Sequence, residues 1–215
     1  MNAIYYDNWD ASYIPNIFKE IYLEGVYHPF LMGRKNLTII DAGANIGLWS
    51  MYASQYAKTI YAIEPSKATQ KILKKNLSQP AYKKTEILFV PKAITNERGS
   101  KTFYTNPSNT TANTLIGGNP DNSETVECIT IADLFKEYKI DHVDFLKLDV
   151  EGSEFEILGG NAFKEVAPKI DTIVGEMHSW VHRNYNQIKD ALEMNGYDVT
   201  FFKRDASLFS AIRKD

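Results

Sequence analysis

The sequence predicts an α/β domain: a single doubly wound, mostly parallel sheet with helices on both faces and an antiparallel hairpin at its C-terminal end. Three observations lead there. Short apolar runs alternate with helical stripes along most of the 215 residues, which is the pattern of a parallel sheet covered by helices. A glycine turn, Asp41-Ala42-Gly43-Ala44-Asn45-Ile46-Gly47, joins the first apolar run to the next helix. Two β-prone stretches flank a short polar turn close to the C-terminus.

Taken in order, Ile14, Ile17, Phe18 and Ile21 fall on one helical stripe, so a short helix is expected over Ile14 to Leu23, ahead of the first core strand. Leu37 to Ile40 reads as that strand, and the apolar-rich segment Leu48 to Ala57 as the helix after the glycine turn. Ile60 to Ile63 is a second strand ending in Glu64. Pro65-Ser66 starts a helix, with Ser66 as its N-cap and Ile72, Leu73 and Leu77 facing inward. Ile87 to Val90 is a third strand. Lys101 to Thr105 and Thr125 to Ile129 are short and β-prone. Between them, Asn106 to Ser123 is rich in Asn, Thr, Gly and Pro and reads as a mobile loop of a length that is uncommon without a function. Thr130 caps a helix through Tyr138. Val143 to Leu148 and Ile170 to Gly175 are strands ending in Asp149 and Glu176. Val181, Tyr185, Ile188, Ala191 and Leu192 mark a helix that stops at Asn195-Gly196. Tyr197 to Phe202 and Leu208 to Ile212 form the closing hairpin.

The bulk composition narrows the partners. With 24 basic and 27 acidic residues the net charge is −3, which argues against a nucleic-acid binder, since those usually carry a basic excess. Lys71, Lys74, Lys75, Lys83 and Lys84 read as a solvated helix face. Cys128 is the single cysteine, so no internal disulfide forms. Neither a signal peptide nor an uncharged run long enough to span a membrane is legible, and a cytoplasmic location without integral membrane contact is expected.

The glycine turn presents bare backbone and free helix amides to a ligand. Glu64, at the tip of the next strand, sits where an α/β domain grips ribose hydroxyls. A dinucleotide site needs three glycines, G-x-G-x-x-G, whereas only Gly43 and Gly47 are present here. Asp41 would repel a pyrophosphate but suits the ammonium of an amino-acid tail. S-adenosylmethionine carries such a tail, a ribose and no phosphate.

A second dense motif runs from Phe145 to Gly160, FLKLDVEGSEFEILGG. With IIDAGANIG, the strand ending in IEP, and VGEMH, it makes the chain resemble the FkbM family of S-adenosylmethionine-dependent methyltransferases over roughly residues 37 to 178. The resemblance implies a class I, Rossmann-like methyltransferase fold, a seven-stranded sheet whose final strand is reversed. The chain is expected to divide into an N-terminal helical extension packed on the core over residues 1–36 and an S-adenosylmethionine-binding methyltransferase domain over residues 37–215. The resemblance places Asp41, Gly43, Asn45 and Gly47 around the methionine portion, Glu64 on the ribose, Lys92-Ala93-Ile94 beside adenine, and Asp149 near the sulfonium.

Asp149, Glu151 and Glu154 cluster after the strand Val143 to Leu148, and Glu176 and His178 follow the strand Ile170 to Gly175, so both groups are expected to face one cleft. An alcohol is a poor nucleophile while protonated. The candidate base is His178, which titrates near neutral pH, or Asp149 or Glu151. For Glu151 and Glu154, three apart on an incipient helix, a helix N-terminal acid is the plainer reading. A divalent cation held by these carboxylates with His178 is an alternative, not favoured because no fixed metal spacing is present, and the expected metal set is empty. His28 and Trp49 are expected to pack, His142 lies at the wrong end of the sheet, His182 lies on a helix start, and Trp9 and Trp180 could line a pocket. The resulting expectation is O-methylation of a hydroxyl on a sugar, glycan or natural product. N-methylation, an NAD-linked oxidoreductase and a non-catalytic nucleoside-binding module are the alternatives.

Overall fold

The computed structural model describes residues 3–6, 13–106, 108–178, 185–202 and 207–214. The positions of Trp9, Trp180, Val181 and His182 lie outside these. The main sheet has seven strands: β1 (Leu37–Ala42), β2 (Ala57–Ile63), β3 (Glu86–Val90), β7 (Val143–Leu148), β8 (Ile170–Glu176), β9 (Tyr197–Phe202) and β10 (Leu208–Arg213). Their order across the sheet is β3-β2-β1-β7-β8-β10-β9. β10 is the reversed strand, antiparallel to both β8 and β9; the other neighbouring pairs are parallel.

The central strands read as unbroken apolar runs because both of their faces are covered. Alternate residues go to opposite sides. Ile40, Tyr61 and Leu146 pack with Phe135, Leu158 and Leu192 on one face; Ile39, Ile60 and Phe145 pack with Trp49, Leu73 and Leu77 on the other. The helices behind these contacts are α3 (Leu48–Ala53), α4 (Lys67–Leu77), α5 (Ile131–Tyr138), α6 (Glu154–Gly159), α7 (Asn161–Val166) and α8 (Tyr185–Met194). Ser66 caps α4 by accepting from Thr69 N, and Thr130 caps α5 by accepting from Asp133 N, as their residue types led us to expect.

Two features depart from the local reading. The stretches around Lys101 and Thr125 are strands, β5 (Gly99–Tyr104) and β6 (Ser123–Ile129), but they join β4 (Ala93–Ile94) in a separate three-stranded sheet, β4-β6-β5. The N-terminal helix begins as α1 (Ile14–Phe18), widens into a π-helical turn over Lys19–Glu24, and is followed by α2 (His28–Leu31). Ile14, Ile21 and Leu31 are buried against the α3 side of the sheet. Among the described residues, no helix is long and apolar enough to cross a membrane.

Chain order reverses between β1 and β7, so a crevice opens beyond the carboxyl ends of the central strands. A cavity lies there.

Candidate functional site

The cavity has a volume of about 480 Å³, within the usual range for a small-molecule site. Its floor is the β1–α3 turn. There the backbone enters the left-handed region at Gly43 (φ 79°), Asn45 (φ 49°) and Gly47 (φ 90°). The amides of Gly43 and Ala44 donate to Ile63 O at 3.1 and 2.8 Å, tying the turn to the tip of β2. The Asn45 amide donates to Glu64 Oε2 at 3.0 Å, and the Ser66 amide to Glu64 Oε1 at 2.9 Å. The Glu64 carboxylate is thus fixed in the cavity wall by two backbone amides. Burial raises its pKa to about 7, with the two amides pulling the other way.

Gly43, Asn45, Glu64, Ala93, Asp149, Glu151 and His178 all line this cavity. Ala93, Ile94 and Phe103 give it an apolar wall, while Lys92 turns away to Glu137 at 2.8 Å. Gly47 N-caps α3, close to the Leu73 side chain rather than on the cavity wall. Asp41 does not line the cavity either. Its side chain is fully buried, accepts from Ser50 Oγ at 2.6 Å, and lies 3.4 Å from Lys147 Nζ. The ammonium that Asp41 meets is therefore that of Lys147, on the neighbouring strand β7.

Lys147 stands between three acceptors: Asp41 at 3.4 Å, Asp149 Oδ2 at 3.3 Å and Gly43 O at 3.1 Å. Burial opposes its charge, but Asp149 and Asp41 outweigh that and raise its pKa above the ordinary value. Burial lifts the Asp41 pKa, against the pull of Lys147 and Ser50. A lysine inside FLKLDV was the available signal. The pairing itself becomes visible only when β1 and β7 are neighbours.

Where β7 and β8 end, His178 sits among carboxylates. Its Nδ1 is 3.0 Å from Glu154 Oε1, and its Nε2 is 3.2 Å from Glu151 Oε2 and 3.9 Å from Asp149 Oδ1. Burial works against the imidazolium, but hydrogen bonds to Glu151 and Glu154 dominate and raise its pKa to about 11. Glu151 is itself pushed up by burial, opposed by its bond to His178. The ligand atoms of Asp149, Glu151 and His178 lie within 4.8 Å of one another, so the three could share a divalent cation.

Two segments wall the cavity from above. Asn16, Ile17, Glu20 and Ile21 come from α1 and the π-helical turn, and Thr110 to Asn113 with Leu115 come from the long β5–β6 loop. That loop is pinned: Tyr104 bridges to Thr114, and Thr114 Oγ1 donates to Glu151 O at 2.7 Å. His28 bonds Tyr52 OH at 2.9 Å, away from the cavity. His142 bonds Asp171 at 2.9 Å, before β7 starts. Trp49 is 2% exposed and stacks on Phe145 while its edge reaches the cavity.

Residues 41–199 match the family model described as "Methyltransferase FkbM domain". Methyltransferase sdnD of Sordaria araneosa is 28% identical, the match covering 86% of this chain and 82% of that protein. Methyltransferase FkbM from Methylobacillus flagellatus KT is 15% identical with a TM-score of 0.60, over 90% of this chain and 47% of that one. SMU.1697c from Streptococcus mutans, solved in complex with SAH, is 10% identical with a TM-score of 0.57, over 88% and 96% of the two chains.

Proposed function

The chain belongs to the methyltransferase FkbM family, and from that membership we propose that it transfers the methyl group of S-adenosylmethionine to a hydroxyl on a sugar, glycan or natural product. One observation carries the reading: the strand-tip acid Glu64 and the Asp149, Glu151 and His178 cluster open into the same cavity. One end is suited to a nucleoside and the other to moving a proton.

The residues present fit that cofactor. Each oxygen of Glu64 accepts one backbone amide, which leaves each a lone pair for a ribose hydroxyl. Ala93, Ile94 and Phe103 suit the face of an adenine, and the turn from Gly43 to Asn45 would hold the methionine portion. When bound, S-adenosylmethionine supplies a methyl group activated by a cationic sulfonium. The protein's share is to orient the acceptor and take its proton. His178 has both ring nitrogens engaged by carboxylates, so it serves as a donor, and proton removal falls to Asp149 or Glu151. A positioned base contributes roughly 10²–10⁴-fold.

Incubation with radiolabelled S-adenosylmethionine and fractionated cell extract is expected to label a carbohydrate or small-molecule pool. Asp149→Ala and Glu151→Ala should each slow that transfer at least about tenfold. If both variants and His178→Ala transferred label at the wild-type rate, the hydroxyl acceptor would be wrong and an amine would take its place. Binding of NADH without binding of S-adenosylhomocysteine would move the protein to the oxidoreductases. Loss of transfer on adding a chelator would bring a divalent cation into the cluster.

The cofactor half of the reading has its own test. Ribose hydroxyls donate to an ionised carboxylate, and Glu64 is half protonated at about pH 7. Affinity for S-adenosylhomocysteine should therefore be constant above that pH. Below it, affinity should fall by up to about tenfold per pH unit as the proton goes on. Calorimetry from pH 5.5 to 8.5 measures this, and Glu64→Gln should flatten the profile at weak binding. A flat wild-type profile would remove Glu64 from the ribose.

A further inference from the structure

Glu154 is the first residue of α6 and is fully buried, which is not the setting of an acid that merely faces a helix end from solvent. Its carboxylate folds back over the turn that carries Asp149 and Glu151. Oε1 accepts from the Val150 amide at 2.9 Å, Oε2 accepts from the Gly152 amide at 3.0 Å, and His178 Nδ1 lies 3.0 Å from Oε1. A buried carboxylate persists when its lone pairs are filled, and here one of the groups filling them is an imidazole on the neighbouring strand. Because a carboxylate only accepts, Nδ1 must carry a proton toward it. That fixes the plane of the ring and turns Nε2 toward Glu151 and the cavity.

We infer that Glu154 is the positioning residue of this site: it locks the His178 ring with Nδ1–H donated inward and at the same time braces the turn that holds Asp149 and Glu151. It touches neither acceptor nor cofactor and acts through those three side chains. The inference rests on the methyl-transfer reading for its effect on rate, but its effect on the ring is independent of that reading.

The variant that separates positioning from bulk is Glu154→Gln, which keeps the shape and one acceptor oxygen but puts an NH₂ donor in the other place. With the amide oxygen on the Gly152 amide, the NH₂ takes the place of Oε1 and meets Nδ1, so that nitrogen gives up its proton and the ring is left neutral with its proton on Nε2. Proton and nitrogen NMR of ¹⁵N-histidine-labelled protein should show a low-field Nδ1–H resonance for His178 in the wild type and its loss in Glu154→Gln. Label transfer should fall roughly a hundredfold, the cost of about 1 Å of misplacement, while affinity for S-adenosylhomocysteine stays within about twofold. Glu154→Asp, which restores an acceptor, should recover the resonance and part of the rate. An unchanged Nδ1–H signal in Glu154→Gln would overturn the inference. So would a parallel loss of cofactor affinity in both variants, which marks a purely structural brace. Should the wild type transfer no label at all, the methyl-transfer reading fails while the resonance still decides the role of Glu154.

Discussion

Gly43→Ala is expected to leave little folded, cofactor-binding protein. Gly43 has φ 79°, and a methyl group there would lie 1.8 Å from the carbonyl oxygen of Asp149 and 2.9 Å from its carbonyl carbon. Both are backbone atoms of the chain leaving β7, held in place by the bond from Asp149 N to Ala42 O at 3.2 Å. No side chain can rotate away to make room, so the ends of β1 and β7 must separate. The left-handed conformation adds about 1–2 kcal/mol for a non-glycine residue and forced overpacking about 1–3 kcal/mol, so a loss of roughly 4 kcal/mol is expected, at the upper end for one substitution. Gly47→Ala is the internal comparison. Its φ is 90°, but the nearest atom to the added methyl is Leu73 Cδ1 at 2.8 Å, a side-chain end able to shift, so its cost should be clearly smaller. Urea unfolding of both variants, with calorimetry against S-adenosylhomocysteine, tests the contrast. Gly43→Ala within about 1 kcal/mol of wild type would mean that the close approach of these two strand ends does not constrain the turn.

The same junction marks the boundary of what the sequence alone can tell. Ile39-Ile40, Ile60-Tyr61 and Phe145-Leu146 could be read as strands because each is buried on both faces, and burial on both faces leaves an unbroken apolar run. Ser66 and Thr130 could be read as caps because that chemistry is local. The placement of β5 and β6 in their own sheet could not be read, since β-propensity says that a stretch is a strand and nothing about its partner. The π-helical turn at Lys19–Glu24 was equally hidden: its apolar stripe fits an ordinary helix just as well, with Ile21 buried on the α3 side either way. In the cavity, Gly43, Glu64, Asp149 and His178 announce themselves by residue type at strand ends. Lys147 and Glu154 do not, because each takes its meaning from a partner more than twenty residues away, Asp41 for one and His178 for the other.

Lys147→Met is expected to be the second most damaging change, and its cost should grow with pH. The methionine keeps the length of the side chain and fits a buried strand position, so little is lost in packing. What disappears is the cation facing Asp41, whose carboxylate is 0% exposed and keeps only its bond from Ser50 at 2.6 Å. Breaking a buried pair by removing one partner costs about 3–5 kcal/mol, because the other charge stays behind. The folded protein can avoid that charge by keeping Asp41 protonated, so in the variant the folded-state pKa of Asp41 lies far above its unfolded value near 3.9. Between those two values the unfolded chain has released its proton and the folded one has not, so stability falls as pH rises across that interval. Unfolding in urea at pH 5 and pH 8 should therefore give a larger deficit at pH 8. Asp41→Asn combined with Lys147→Met should recover much of it, leaving a pair that is strongly non-additive. Because Lys147 also holds Asp149 Oδ2 at 3.3 Å and Gly43 O at 3.1 Å, the double variant should remain weak in cofactor binding even where its stability returns. Equal deficits at the two pH values, or a double variant no more stable than Lys147→Met, would show that the buried charge on Asp41 is not what Lys147 is there to neutralise.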